Sequence, residues 1–193
     1  TADTEKYPHV TYFYNGGNET PVAGEERILV PSQQVATYDL APEMSARGVT
    51  DVLVKAIADR SHAFMLCNLA NGDMVGHSGS LAATIQACQV VDECLARVVA
   101  AAERAGARLI VTADHGNCEQ MIDPETGGPH TAHTTNPVPL VVYDGDDDAP
   151  LRGGGALCDV GPTVLRMLGI AQPDEMTGRD LRAASAAPVA AAR

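Results

Sequence analysis

The sequence predicts an α/β fold in which helices flank a mostly parallel sheet. Residues 109–113 are apolar and rich in branched side chains, and the run is too short for a helix, which is typical of a strand buried on both faces. From residue 80 to residue 105 apolar side chains recur at steps of three and four, which indicates an amphipathic helix ended by Gly106. Strand, helix and strand follow one another in this order twice, as in parallel β-α-β units.

The first fifty residues are expected to contain strand and irregular chain. Residues 10–14 are aromatic or β-branched and precede a glycine-containing turn, so we expect a strand there. Residues 18–48 are punctuated by three prolines and should form an ordered but irregular excursion over a sheet edge or a helix face. This excursion should contain a short strand at 27–30, and loops of such length are often functional.

Local signals place the remaining elements. Thr50 should cap a helix that runs to about Arg60, with Val49 and Val54 as a hydrophobic staple. The other expected elements are strands at 63–69 and 139–143, an acidic turn at 144–148, and a short helix at 162–168 closed by Gly169. We expect one domain over residues 1–182 and a flexible tail at 183–193.

The composition argues against several classes of partner. The chain has 13 basic and 25 acidic residues, a net charge of −12, which argues against contact with nucleic acid or with an anionic membrane surface. No apolar run approaches the ~18 residues of a membrane span, and no signal peptide is visible. The five cysteines show no CxxC spacing, as expected for reduced thiols in a cytoplasmic protein.

Three polar clusters lie next to the ends of predicted strands. They are Asp73 with His77, Asp114 with His115, and His133 in a threonine-rich segment. Because the carboxyl ends of parallel strands meet at one edge of a sheet, the first two clusters should lie close together. Mixed carboxylate and imidazole ligands suit Mn²⁺, Zn²⁺ or Fe²⁺, and two such clusters suggest a two-metal site. Each residue alone has an ordinary alternative, as a turn cap, a loop acid or an exposed histidine.

Longer motifs along the chain point to a family. They are Thr4-Glu5-Lys6-Tyr7-Pro8-His9-Val10-Thr11, Asp73-Met74-Val75-Gly76-His77, Thr112-Ala113-Asp114-His115-Gly116-Asn117 and Thr131-Ala132-His133-Thr134-Thr135-Asn136-Pro137-Val138-Pro139. Together they resemble the cofactor-independent (2,3-bisphosphoglycerate-independent) phosphoglycerate mutases of the alkaline phosphatase superfamily. The resemblance implies an alkaline-phosphatase-like fold and an enzyme of glycolysis with two Mn²⁺, or Zn²⁺ or another divalent metal. Such an enzyme interconverts 3- and 2-phosphoglycerate through a phosphoserine intermediate.

The resemblance also implies roles for individual residues. One metal would be held by Asp73, His77 and His133, and the other by Asp114 and His115. Lys6 matches the lysine that contacts the substrate phosphoryl group near the metals, where a cation offsets charge in the transition state. His9 receives no catalytic role, and Arg27 is expected to form an ion pair in an acidic neighbourhood.

The chain departs from the family in length and content. Family members are considerably longer and carry an N-terminal strand with an Asp ligand, a serine nucleophile and an inserted domain, none of which this sequence resembles. The chain is therefore expected to be a C-terminal portion of the phosphatase-like domain, inactive alone and in need of the missing N-terminal segments. Two alternatives stay open: a metal-dependent phosphatase or sulfatase whose nucleophile is Ser78 or Thr134, and a non-catalytic metal-binding domain.

Overall fold

The longest described helix, α3 (Leu81–Ala105), is the element against which two other helices pack. In the computed structural model, which describes residues 1–145 and 150–182, α3 contacts α1 (Ala46–Asp59) and α2 (Asn71–Gly76). Much of the buried face of α3 is made of small residues such as Ala83, Ala87 and Ala101. Small side chains let the neighbouring helices approach closely without leaving voids.

The chain separates into two compact units. The first comprises residues 1–107 and 111–140, and the second comprises residues 108–110 together with the described residues 141–145 and 150–182. The predicted tail at 183–193 and most of the predicted acidic turn at 144–148 lie outside the described residues. Among the described residues, none of the helices combines the length and the apolar character that crossing a membrane requires.

The predicted ends of α3 are confirmed. Ser80 Oγ accepts a hydrogen bond from Ala83 N at 3.4 Å, and Gly106 closes the helix with a left-handed φ of 64°. In the second unit, α4 (Val160–Leu168) ends in the same way at Gly169, with a φ of 72°. Glycine is favoured at both closing positions because a Cβ atom is strained in this conformation.

Helix α2 is anchored by its first side chain. Asn71 Nδ2 donates to Pro42 O at 2.8 Å and to Glu43 O at 3.0 Å, while Val75 packs in a buried cluster with Met44 and with residues of α3. The local sequence favours a loop or a single turn here, but burial of this face produces a six-residue helix. The polar residues that α2 carries are therefore held in a defined place.

Two small sheets of two strands each occur in the part of the chain that the structure describes. β1 (Ala2–Asp3) pairs in parallel with β2 (Leu29–Val30), with Ala2 opposite Leu29. β3 (Leu109–Thr112) pairs with β4 (Leu140–Tyr143) in the second sheet. The strands predicted at 27–30, 109–113 and 139–143 are thus present.

The prediction of a strand at 63–69 is wrong, because this segment is irregular in the structure. Thr1 N donates to Leu66 O at 2.6 Å and Asn68 N donates to Thr1 O at 3.2 Å, so the segment lies beside the residue that precedes β1. Both bonds go to one residue, and a strand needs a ladder of successive pairs. The expected parallel pairing of 63–69 with 109–113 in one sheet is consequently not formed.

The prediction of a strand at 10–14 is also wrong. Tyr7–Val10 forms a 3-10 helix, and turns continue to residue 17. Thr11 Oγ1 donates to Tyr7 O at 2.7 Å, and Asn15 N donates to Thr11 O at 2.8 Å, so the polar groups find local partners. The rings of Tyr12 and Phe13 contact each other, with centroids 5.1 Å apart, although Phe13 remains 61% exposed.

Helix α1 begins a turn earlier than predicted. Its first residue is Ala46, and Thr50, the predicted cap, lies buried inside it. Ser45 precedes the helix and donates its hydroxyl to Pro31 O at 2.8 Å instead of capping. Because Ala46 and Val49 are buried, packing extends the helix beyond the local capping signal. The end of α1 at Arg60 agrees with the prediction.

The excursion at 18–48 is ordered and mostly irregular, as predicted. Apart from β2 and the start of α1 it contains one described 3-10 turn, at Tyr38–Leu40. Arg27 forms the expected ion pair, with its Nε 2.5 Å from Glu25 Oε1, and its Nη1 donates to Glu19 O at 3.0 Å. These contacts of Arg27 hold the loop together without regular structure.

Candidate metal centre

Asp73, His77 and His133 converge although they come from distant parts of the chain. Asp73 lies on α2, His77 follows the last residue of α2, and His133 stands in a loop 60 residues after Asp73. Asp73 Oδ1 is 3.0 Å from His77 Nε2 and 2.8 Å from His133 Nε2, and the two Nε2 atoms are 3.1 Å apart. One carboxylate oxygen and two imidazole nitrogens therefore form a triangle, called the ligand triangle below.

The dimensions of the ligand triangle fit a divalent metal. Two ligand atoms ~2.1 Å from a metal and at right angles around it are about 3.0 Å apart. Carboxylate mixed with imidazole suits first-row divalent metals, and three protein ligands are typical of sites that keep positions open for chemistry. Within residues 1–145 and 150–182, Asp73, His77 and His133 are the only set of three or more His, Cys, Asp or Glu residues whose ligand atoms all lie within 4.8 Å of one another.

His77 is oriented by the backbone. Its Nδ1 is 2.6 Å from the carbonyl oxygen of Thr131. A carbonyl oxygen only accepts, so Nδ1 carries a proton in this arrangement, and in the neutral imidazole the lone pair is at Nε2. Such a partner on the far side of the ring fixes both the tautomer and the direction of a metal-binding histidine.

Lys6 is buried against the same carboxylate. Its Nζ is 2.6 Å from Asp73 Oδ2, and the two side chains are only 9% and 13% exposed. Burial by itself raises the pKa of Asp73, but the Lys6 ammonium, the Asn117 amide and the His77 imidazole together lower it to about 2. The carboxylate is thus ionised at neutral pH, with one oxygen toward the lysine and the other toward the histidines.

Replacing Lys6 by Met is expected to destabilise the fold in a pH-dependent way. The pKa of Asp73 is lowered from 3.8 to about 2, so the stabilisation is complete above the higher value and is lost as the pH falls through the lower one. The expected loss is about 2 kcal/mol near pH ~6 and about half of that near pH ~3. Urea unfolding in metal-free buffer measures both, and an equal loss at the two pH values would contradict the assignment.

Asp114 and His115 lie beside the ligand triangle and not within it. The His115 ring stacks on that of His133, with centroids 3.7 Å apart and an angle of 20° between the planes. His115 Nε2 is 3.9 Å from Asp73 Oδ1 and 3.7 Å from Asp114 Oδ1, and the Asp114 side chain is 55% exposed. The five residues predicted as ligands therefore share one neighbourhood, in which three histidines approach one oxygen of Asp73.

Asn117 belongs to this neighbourhood, although no role was predicted for it beyond its place in a motif. Its Nδ2 donates to Asp73 Oδ1 at 3.0 Å. The amide sits directly against Gly76, where a Cβ atom would overlap with it. Glycine at 76 therefore lets α2 approach the loop after β3. The available signal was the position of Asn117 next to the Asp-His-Gly turn.

Glu119 is a second residue that the sequence analysis missed. Its carboxylate accepts hydrogen bonds from Asn117 N at 2.6 Å, from Asn136 Nδ2 at 2.9 Å and from the Thr134 hydroxyl. Burial by itself raises the pKa of Glu119, but the hydrogen bonds outweigh it and the pKa is lowered. Glu119 is therefore an ionised acceptor shared by the loop of 114–119 and the loop of 133–136.

The two loops also meet through their backbones. Thr134 N donates to Gly116 O at 2.9 Å, and a Cβ atom on Gly116 would overlap with the side chains of Thr134 and Glu119. His115 and His133 are immediate neighbours of these two contact residues in the chain. Glu119 and Gly116 together consequently set the distance between the two stacked imidazoles.

Replacing Glu119 by Gln is expected to lower the affinity for Mn²⁺ about tenfold. The new side-chain amide would place an N–H donor against groups that themselves donate, so the two loops would lose their shared acceptor. Removing a group that orients metal ligands usually lowers metal affinity about 10- to 100-fold. Titration calorimetry measures the affinity. Glu125→Gln is the matched control, because Glu125 is an exposed acid in a nearby turn. An affinity of Glu119→Gln equal to that of this control would show that the loops are held by other contacts.

The two hydroxyls considered as internal nucleophiles are already engaged. Ser78 Oγ donates to Val75 O at 2.5 Å and accepts from Ser80 N at 3.2 Å. Thr134 Oγ1 donates to Glu119. Each hydroxyl therefore stabilises a turn or a loop contact, which is a structural use and not the free presentation that a nucleophile needs.

Comparison with known proteins places this geometry in context. A family model described as the metalloenzyme superfamily matches residues 1–172. The 2,3-bisphosphoglycerate-independent phosphoglycerate mutase of Cereibacter sphaeroides is 59% identical over 180 residues, which cover 93% of this chain and 35% of that protein. The corresponding protein of Methylobacillus flagellatus is 56% identical over 186 residues, which cover 96% of this chain and 36% of that protein. The chain thus spans about a third of the length of the curated relatives it matches.

A solved structure shows the same fold. The structure of Leishmania mexicana phosphoglycerate mutase at low cobalt concentration is similar, with a TM-score of 0.85 and 32% sequence identity. The match covers 93% of this chain and 36% of that one. The predicted fold class is confirmed by this similarity, although the described sheets are small.

Proposed function

The chain belongs to the metalloenzyme superfamily, and from this membership we propose that it forms the metal-binding part of an enzyme that interconverts 3- and 2-phosphoglycerate. The observation that carries the proposal is the ligand triangle, since three side chains from separate segments meet at distances that suit one divalent ion. The high identity with phosphoglycerate mutases over nearly the whole chain supports this choice of reaction.

We propose that Asp73, His77 and His133 hold one metal and that Asp114 and His115 contribute to a second. Mn²⁺ is the proposed ion at both positions, with Zn²⁺ or another divalent metal as the alternative. Bound divalent metal polarises phosphoryl oxygens and so stabilises the charge that develops during transfer. The short distances within the ligand triangle support the first site, and the stacking of His115 on His133 supports the second position beside it.

Lys6 is proposed to contact the phosphoryl group of the substrate. Its ammonium is buried at the edge of the site, where it already holds Asp73 in the ionised form. A buried cation interacts more strongly with phosphoryl oxygens than an exposed lysine does, because little water screens its charge. In this proposal Lys6 therefore both keeps the metal ligand Asp73 ionised and contacts the substrate.

The serine that accepts the phosphoryl group is proposed to lie in a part of the enzyme outside this chain. Its hydroxyl oxygen attacks phosphorus, the bond from phosphorus to the glycerate oxygen breaks, and the other glycerate hydroxyl then takes the group back. The share of the relatives' length that the chain spans supports this division, as do the engaged hydroxyls of Ser78 and Thr134. A cytoplasmic location is also proposed, because the five cysteines are free thiols.

A mutase assay on the chain completed with the remaining segments of such an enzyme tests the proposal. Turnover of 3-phosphoglycerate that requires divalent metal supports it. Metal binding without turnover in the folded, completed protein would instead favour a non-catalytic metal-binding domain. Release of inorganic phosphate without 2-phosphoglycerate would favour a phosphatase.

A further inference from the structure

Two thiols outside the candidate metal centre lie close together. Cys88 is in the N-terminal third of α3 and Cys118 follows Asn117 in the loop after β3, and their Sγ atoms are 4.0 Å apart. The two residues are 30 positions apart in the chain, so the fold and not local sequence brings them together. Neither thiol takes part in the proposed transfer reaction.

The pair is open to small reagents. Cys88 is exposed, and both cysteines line an open cleft of about 360 Å³ whose walls include Leu81, Thr84, Ile85 and Gln89. The other cysteines differ in this respect or in lacking a partner. Cys94 is fully buried, and burial raises the pKa of Cys67 to about 11, which keeps that thiol protonated and unreactive.

The hydrogen bond between the two thiols also differentiates them. It lowers the pKa of Cys88 to about 6, although burial works against this, and it raises that of Cys118. Cys88 is also the more exposed of the two thiols, so Cys88 is the member that attacks first and Cys118 the member that resolves the product. The geometry supplies both members at one place.

We propose that Cys88 and Cys118 are a redox-sensitive pair that closes to a reversible disulfide when the protein meets a peroxide. The Cys88 thiolate attacks one oxygen of hydrogen peroxide, the oxygen–oxygen bond breaks, and a sulfenic acid and, after protonation, water are formed. The Cys118 sulfur then attacks the Cys88 sulfur and displaces the hydroxyl group, which leaves as a second water with the Cys118 proton. In total, two thiols and one peroxide give one disulfide and two waters.

The closure requires only a small movement. A disulfide has a sulfur–sulfur distance near 2.05 Å, so the two atoms must approach by about 2 Å. Cys118 lies in a loop outside the described helices and strands, so this approach need not distort α3. The product would covalently join α3 to the loop that carries Asn117.

Peptide mapping by mass spectrometry tests the pair. The chain is treated with hydrogen peroxide in slight excess, free thiols are alkylated, and the digest is searched for linked peptides. We expect a Cys88–Cys118 link that is lost after treatment with dithiothreitol and absent in Cys88→Ser. In Cys118→Ser the Cys88 sulfenic acid should persist and be trapped by dimedone.

The exposed thiol of Cys158 provides the internal control, since it is not paired with another described cysteine. Cys158→Ser should leave the link between Cys88 and Cys118 unchanged. The proposal is overturned if both thiols remain fully alkylated under peroxide that oxidises Cys158, or if Cys88 passes to the sulfinic acid in the wild-type chain without forming a link.

Discussion

The 193-residue chain by itself should convert no 3-phosphoglycerate at any manganese concentration, and joining it to the remaining segments of a phosphoglycerate mutase should restore turnover. Phosphoryl transfer needs a nucleophile, metal and substrate-positioning cations in one geometry, and their contributions depend on one another. This chain provides the ligand triangle, the proposed second ligand pair and the proposed substrate contact Lys6, while the hydroxyls of Ser78 and Thr134 are engaged elsewhere. A coupled assay that consumes 2-phosphoglycerate measures the activity.

In the completed enzyme, Asp114→Ala should lower kcat/KM by about 100-fold or more, because it removes a proposed ligand of the second metal. Asp92→Asn, an exposed acid on α3, is the matched control and should keep full activity. Clear turnover by the 193-residue chain alone, abolished by Asp114→Ala, would mean that a nucleophile is present within it.

Removal of a member of the ligand triangle should have a comparably large effect on metal binding. His77→Ala is expected to lower the affinity for Mn²⁺ at least tenfold, because only a few protein ligands bind the ion. Asp73→Asn is expected to lower it about 100-fold, because Asp73 supplies the negative charge of the ligand triangle. Titration calorimetry gives the affinities. Thermal unfolding gives an independent reading, because metal at ~100 times its Kd stabilises the native state by about 2.7 kcal/mol.

Loss of metal binding must be separated from loss of the fold. Asp73→Asn removes the ion pair with Lys6 as well as a ligand, so its circular dichroism is to be compared with that of wild type in metal-free buffer. His77→Ala leaves that ion pair intact and serves as the second variant. Unchanged Mn²⁺ affinity in both folded variants would remove the ligand triangle as the binding site.

The sequence was most informative where a single local rule decides the structure. Helix α3 combines a long apolar period with Ser80 at one end and Gly106 at the other, and each of these signals acts within a few residues. The strand at β3 was likewise visible as a short, branched apolar run. Segments 10–14 and 63–69 have similar composition, but the first forms local turns and the second bonds to the distant Thr1, and composition alone does not distinguish these outcomes from a strand.

In the candidate site, too, local sequence patterns indicated some residues, while others became visible only through their contacts in the fold. Residue chemistry indicated three clusters of carboxylate and imidazole side chains, and the resemblance to the mutases grouped Asp73, His77 and His133 as the ligands of one metal before any distance was known. Asn117 and Glu119 were missed because their roles depend on what lies across from them. Glu119 in particular is an ordinary loop acid until the loops of 114–119 and 133–136 meet around it.

The wide spacing of the ligand triangle along the chain has a consequence for the order of folding. Asp73 and His133 are separated by 60 residues, and Asp73 and Lys6 by 67, so the chain must first close long loops before these groups meet. We expect contacts of such length to form after the more local docking of α2 on α3. A metal bound by these groups is therefore expected to slow unfolding and to leave the folding rate nearly unchanged.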